Sequence, residues 1–226
     1  VITCGIITST SGPVTLRTNG GADADVLVNN NVTSGGVLNL TSGTGAGSDV
    51  TVAAAVTAQG TTTNVTTPDL NIDSGSNVIA TTGSVNVQSN LAGQVLTVDF
   101  LGNGSISANN GSVLFNNTTA GAITVSGGAL NGTITANAAT GIVRFNGGNN
   151  VNPVSVNVNQ ISDFRTEGSG TTLSITTANG DLRVGNINTS STTTLTANGA
   201  GADVITSGTI TSTNGPVTLQ TNGGAD

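Results

Sequence analysis

Residues 204–226 read VITSGTITSTNGPVTLQTNGGAD, and residues 1–23 read VITCGIITSTSGPVTLRTNGGAD, an offset of 203 residues. Only four of the 23 aligned positions differ: Cys4/Ser207, Ile6/Thr209, Ser11/Asn214 and Arg17/Gln220. Repetition of this fidelity limits the possible folds more than any other feature, because each copy has to be buried by neighbours of its own kind. The chain reads as one full period, residues 1–203, followed by the first coil of the next, residues 204–226. It is expected to be an excerpt of a longer tandem array.

A shorter rhythm runs inside the period. Apolar-x-apolar triplets begin at residues 1, 26, 50, 70, 96, 123, 154 and 182, and again at 204 (VIT, VLV, VTV, LNI, LTV, ITV, VSV, LRV, VIT). The middle residue is usually polar, as in Thr51, Asn71, Thr97, Thr124, Ser155 and Arg183, with Ile2, Leu27 and Ile205 as exceptions. A two-residue alternation is the pattern of a strand with one buried face. Each coil adds a second strand around one inward residue (Ile7, Val32, Val56, Ile79, Ile106, Ile134, Ile187). A third follows with an apolar pair (Val14/Leu16, Leu38/Leu40, Val85/Val87, Val113/Phe115, Val143/Phe145, Leu173/Ile175). Gly- and Asn-rich turns such as STSGP and ANNGS separate the second strand from the third, as corners with positive φ require. Three short strands per coil and about eight coils per period make an all-β parallel solenoid. No window carries a 3.6-residue period, and Gly and Thr are poor residues for a helix interior.

Composition narrows function. Aromatic residues are 2% and charged residues 7%, with no His, Trp or Tyr. The basic residues are Arg17, Arg144, Arg165 and Arg183, and the net charge is −7. No basic patch can be assembled for a nucleic acid, and no apolar run approaches the roughly 18 residues of a membrane-spanning helix. Catalysis lacks its usual parts, since there is neither His nor Lys and Cys4 has no imidazole partner. A carboxylate pair would suit a glycosidase. The best local pair, Asp163 and Glu167, sits with Arg165 in the long segment 154–181, expected to loop outward as a solvated charge cluster. No enzyme is expected.

Carboxylates end the corners entering several triplets: NGGADAD before Val26, TGAGSD before Val50, TTPD before Leu70, ANGD before Leu182 and NGAGAD before Val204. Stacking would place Asp25, Asp49 and Asp69 in one ladder and Asp181 and Asp203 in another. Such carboxylates are expected to accept hydrogen bonds from turn amides. TGAGSDVT and NGAGADVI also resemble, in their G-x-G-x-D core, the calcium-binding repeat of RTX proteins. That resemblance makes Asp49 and Asp203 candidate Ca²⁺ ligands, Asp25 is a third candidate as the corner carboxylate stacked with Asp49, and Ca²⁺ is the one cofactor worth testing. Asn-x-Ser/Thr triplets at Asn31, Asn39, Asn64, Asn103, Asn110, Asn117, Asn131 and Asn188 are expected from composition alone.

The text GTITSTNGPVTL, GSISANNGSVLF and GTITANAATGIVRF resembles the repeats of filamentous-haemagglutinin-like secreted β-helix proteins of bacteria. The resemblance implies a right-handed parallel β-helix, export to the bacterial cell surface or beyond, and a structural or adhesive role. The expected partners are neighbouring copies along and beside a fibre, and surface glycans. A glycan- or Ca²⁺-binding rod is the alternative, and a carbohydrate-active enzyme a remote one.

Overall fold

A computed structural model describes residues 1–117, 121–127, 132–137, 141–146, 154–158, 160–161 and 166–223. Asn131, Asp163, Phe164 and Arg165 lie outside them. The described residues contain strands and no helix, and every strand pairing is parallel. The chain winds as a right-handed β-solenoid of three sheets.

The first sheet stacks Val26–Val28, Asp49–Val52, Asp69–Ile72, Leu96–Phe100, Ile123–Ser126, Val154–Val158, Leu173–Thr177, Thr193–Ala197 and Val217–Thr221. A bridge from Ile2 to Leu27 sets Val1–Thr3 beside it. The second sheet stacks Ile7–Ser9, Val32–Ser34, Thr57–Gly60, Asn77–Ala80, Ser105–Ala108, Thr133–Ala136 and Gln160–Ile161. The third begins Val14–Arg17, Leu38–Thr41, Thr63–Thr66, Val85–Gln88, Val113–Asn116, Val143–Asn146 and Thr166–Gly170. It ends in the long strand Leu182–Thr189, on which Val204–Thr206 and Ile210–Ser212 lie end to end.

Val26, Val50 and Leu70 are neighbours on successive rungs, as the triplet spacing requires. Inward Val, Ile and Leu form a dry column through the coils, and most of it has no exposed surface. Each strand lends one face to that column and one to solvent, so the alternation in sequence becomes alternation in burial. Phe100 adds a ring to the column at a place where a Cβ on Gly132 would come within 2.3 Å of its Cγ.

Four expectations change. In the second sheet Ala58, not Val56, and Val78, not Ile79, hold the inward register, in line with Val32 and Ile106. The glycines between second and third strands are not needed for positive φ. Gly35 and Gly111 lack it, and they are small because a Cβ would lie 2.2 Å from Thr10 O and 2.3 Å from Gly83 O of the coil below.

The segment 154–181 is not simply an outward loop. Thr166–Gly170 pairs with Val143–Asn146, and Leu173–Thr177 pairs with Val154–Val158. Consequently the triplets at 182 and 204 join the third sheet, while the first sheet continues through 173, 193 and 217. The triplets read for the first sheet and the pairs read for the third share one apolar-x-apolar pattern, so pattern alone does not say which of the two sheets such a strand enters.

The two near-identical copies therefore occupy different faces. Residues 7–9 lie on the second sheet and their equivalents 210–212 on the third. Residues 14–17 lie on the third sheet and their equivalents begin a strand of the first. The change is not a single rotation, because 204–206, the equivalents of Val1–Thr3 beside the first sheet, also lie on the third sheet, in line with 210–212. At roughly 4.8 Å per coil, the rise is roughly 40 Å per period.

Candidate functional site

Surface chemistry is concentrated in ladders, because parallel stacking puts equivalent side chains directly above one another. On the third sheet an amide ladder runs outward: the Asn64 amide donates to Asn39 Oδ1 at 2.9 Å, and the Asn86 amide to Asn64 Oδ1 at 2.8 Å. Asn39 donates in turn to Thr15 Oγ1 at 3.3 Å. On the first sheet, Thr97, Thr124, Ser155, Ser174, Thr194 and Thr218 hold successive register positions in one row. Arg183, expected in that row, lies on the third sheet.

Asp25, Asp49 and Asp69 stack at the corner entering the first sheet. The backbone N–H of Asp49 donates to Asp25 Oδ1 at 3.2 Å, and Asp49 and Asp69 are register partners. The Thr51 hydroxyl donates to Asp49 Oδ1 at 3.1 Å. Asp203 stands apart, at a corner of the third sheet, where its N–H donates to Asp181 Oδ1 at 3.1 Å. The three candidate calcium ligands therefore do not converge. Among the described residues no group of three or more metal-ligating side chains forms. The repeated geometry is a carboxylate holding the amide of the next coil.

Burial, with the Asp99 and Asp49 charges adding to it, pushes the half-buried Asp69 carboxyl up to about 6. The Asp49 carboxyl is also raised, by burial first and by Asp25 to a smaller extent, against the Thr51 hydrogen bond. Asp69 Oδ1 is buried without a partner. Because the folded-state pKa of Asp69 exceeds the unfolded value near 3.9, the folded form holds the proton more tightly. Its contribution to stability is therefore best below about pH 4, declines as pH rises to about 6, and stays low above that. Asp69→Asn is expected to raise the unfolding free energy at pH 8 by about 1 kcal/mol, a figure discounted for solvent screening, and to change little at pH 4. Urea denaturation at the two pH values checks this. An equal gain at both would place the effect outside the carboxylate.

Glu167, expected in a solvated cluster, is only 7% exposed and lies in a strand. Its Oε2 accepts from Arg144 Nη2 at 2.8 Å, and its Oε1 accepts from the Asn186 amide at 3.5 Å. The register slips between Thr166 and Gly168. A recess of about 190 Å³ opens there, lined by Arg144, Phe145, Asn146, Glu167, Gly168, Ser169 and Asn186. Composition gave no signal for this recess, since the slip that forms it depends on pairing with the next coil.

Asn117, counted among the glycosylation triplets, is fully buried, and its amide donates to Gln94 O at 2.8 Å and Ala122 O at 2.7 Å. It fastens a corner and offers no acceptor to a sugar. Cys4 is free and exposed. No helix among the described residues is long and apolar enough to cross a membrane. Comparison of the chain with known protein families, with curated proteins and with solved structures finds no match in any of the three.

Proposed function

We propose that the chain is a rod segment of an extracellular structural or adhesive fibre on a bacterial surface, acting mechanically rather than as a catalyst. The observation that carries this reading is the set of parallel ladders that run from coil to coil around an apolar column. A column of this kind resists bending and proteolysis, since extension or cleavage has to break strand pairing over several neighbouring coils. Its few basic residues support the same reading, with Arg144 and Arg183 held in paired strands by carboxylates.

The test is the mass of the native polypeptide under denaturing conditions, together with electron microscopy before and after trypsin. We expect a mass of many periods and rods that keep their length after digestion. A native digest ending in many small fragments would overturn the proposal. A mass near 22 kDa would replace a covalent fibre with non-covalent stacking.

The Arg144–Glu167 recess favours a second reading, in which the rod also binds glycan. A guanidinium, a carboxylate, two carboxamides and a hydroxyl converge there, a set that suits paired sugar hydroxyls. Arg144→Ala is the variant to compare on a glycan array.

A further inference from the structure

The Arg144–Glu167 recess owes its shape to a slip in strand pairing. Thr166 faces Val184 and Gly168 faces Ile187, so Glu167 alone stands opposite two residues, Gly185 and Asn186. Gly185 is buried and Asn186 turns outward. An extra residue of this kind re-aims the side chains around it. Here it sets the Asn186 carboxamide beside the Glu167 carboxylate, and Glu167 is the register partner of Arg144.

What the recess can hold follows from which hydrogen-bonding groups are still available. Its side-chain acceptors are engaged. Glu167 Oε2 accepts from Arg144 Nη2 at 2.8 Å, and Oε1 accepts from the Asn186 amide at 3.5 Å. Asn186 Oδ1 accepts from the Thr209 backbone N–H at 3.2 Å, and Asn146 Oδ1 from the Ser169 hydroxyl at 3.2 Å. The donors are in surplus. Among the described residues the Asn146 carboxamide donates no hydrogen bond, and only Nη2 of the Arg144 guanidinium is engaged. The Arg144 side chain is 49% exposed and that of Glu167 10%, so the positive charge is presented and the negative one withdrawn.

A hydroxyl draws on donors and acceptors alike, so it is served fully only if Glu167 gives up a bond that it already has. A metal ion would meet a guanidinium. A carboxylate only accepts, and its two coplanar oxygens match one edge of the guanidinium fork. Attraction to the nearer, exposed charge outweighs repulsion from the withdrawn one, because Coulomb energy falls with distance and with screening. We propose that the recess binds the carboxylate of a uronic acid unit in a glycan. Arg144 holds it by the side of the guanidinium that Glu167 leaves open. The Asn146 amide donates a further bond, and the Ser169 oxygen accepts from a ring hydroxyl. At about 190 Å³ the recess is smaller than the roughly 300–1,000 Å³ that encloses a drug-sized ligand. It therefore grips one acidic sugar and leaves the rest of the glycan outside. This inference rests on the glycan reading of the recess and names the class of sugar.

The test is nuclear magnetic resonance on the full, isotope-labelled chain. With four arginines the Arg144 Nε–H signal is resolved, and Arg144→Lys assigns it by its loss. Methyl glucuronide, titrated at constant ionic strength, is expected to shift that signal. Its dissociation constant is expected to be about tenfold lower than that of methyl glucoside, the worth of one charge-assisted hydrogen bond. Asn146→Asp keeps the acceptor for Ser169 but puts a negative charge where a donor stood, and is expected to abolish glucuronide binding. Gln88→Glu adds the same charge at an exposed position of the same sheet outside the recess, and binding is expected to persist. Equal affinity for the two sugars overturns the choice of an acidic sugar and leaves the glycan reading standing. Acetate binding as tightly as the glucuronide overturns the sugar part. No shift with the glucuronide, or undiminished binding by the Asn146→Asp chain, overturns the site. The comparison of sugars needs no variant, so a misfolded variant does not spare the proposal. Comparison with Arg144→Ala on the glycan array judges the broader glycan reading, so the two can fail apart.

Discussion

Phe145→Ala is expected to lower the unfolding free energy by about 3–5 kcal/mol. Phe145 is fully buried, and its ring stacks on that of Phe115 with centroids 5.0 Å apart and planes 8° from parallel. The two are register partners on the third sheet. The next rung places Gly168 opposite Phe145, so no side chain at that position can lean in to fill the space. The neighbouring strands are held by backbone pairing on both sides, which limits collapse around the cavity. Both terms of a large-to-small substitution therefore operate in full. Urea denaturation followed by far-UV circular dichroism measures it, since the chain has no Trp or Tyr to report tertiary structure. A loss below about 1 kcal/mol would mean that the column closes over the gap, contrary to the rigidity that two-sided pairing implies. Phe115→Ala, measured alone and with Phe145→Ala, is expected to show coupling of about 0.5–1.5 kcal/mol from the stacked pair.

Gly111→Ala has the second-largest expected effect, and its sign is informative. At an unconstrained turn, Gly→Ala stabilises by about 0.4–1 kcal/mol through the unfolded chain. At Gly111 the added Cβ would lie 2.3 Å from Gly83 O and 2.5 Å from Gly83 C. The obstacle is main chain, which no rotamer change can move, and relief requires spreading two coils that are fastened by strand pairing on either side. A loss of about 2–3 kcal/mol is expected, in the range of overpacked cores. Gly21→Ala is the matched control, because nothing lies within 4 Å of its Cβ position, and it is expected to be neutral or slightly stabilising. Thermal denaturation of the two variants side by side decides the matter. If both behave alike, close approach between coils is not what selects glycine at these corners.

The candidate surfaces were legible only in part. Stacked aspartates at the corner of the first sheet follow directly from the spacing of Asp25, Asp49 and Asp69. Asp203 shares the G-x-G-x-D text of Asp49 but not its corner, so a shared motif does not gather the candidate ligands in one place. The raised carboxyl of Asp69 owes part of its shift, after burial, to the charge of Asp99, whose strand is in register two residues further along than the triplets suggest: Leu70 faces Val98, not Leu96. Glu167 was the least legible residue. In sequence it stands in a polar, charged stretch, and only its pairing beside Arg144 draws it into a strand and out of water.

Sequence by itself determined that this chain is strands, that they are short, and which residues they bury, because alternation and turn chemistry are local properties. It even determined inward parity where one apolar residue stood alone between polar ones. Where two stood together, as Val78 and Ile79 do, parity was settled by Ala58 below and Ile106 above. Tertiary structure alone decided which sheet each strand joins. The same words lie on different faces in residues 1–23 and 204–226, so the choice cannot reside in the words. It resides in the preceding coil, whose exposed backbone groups and apolar side chains are the template on which the next strand is laid.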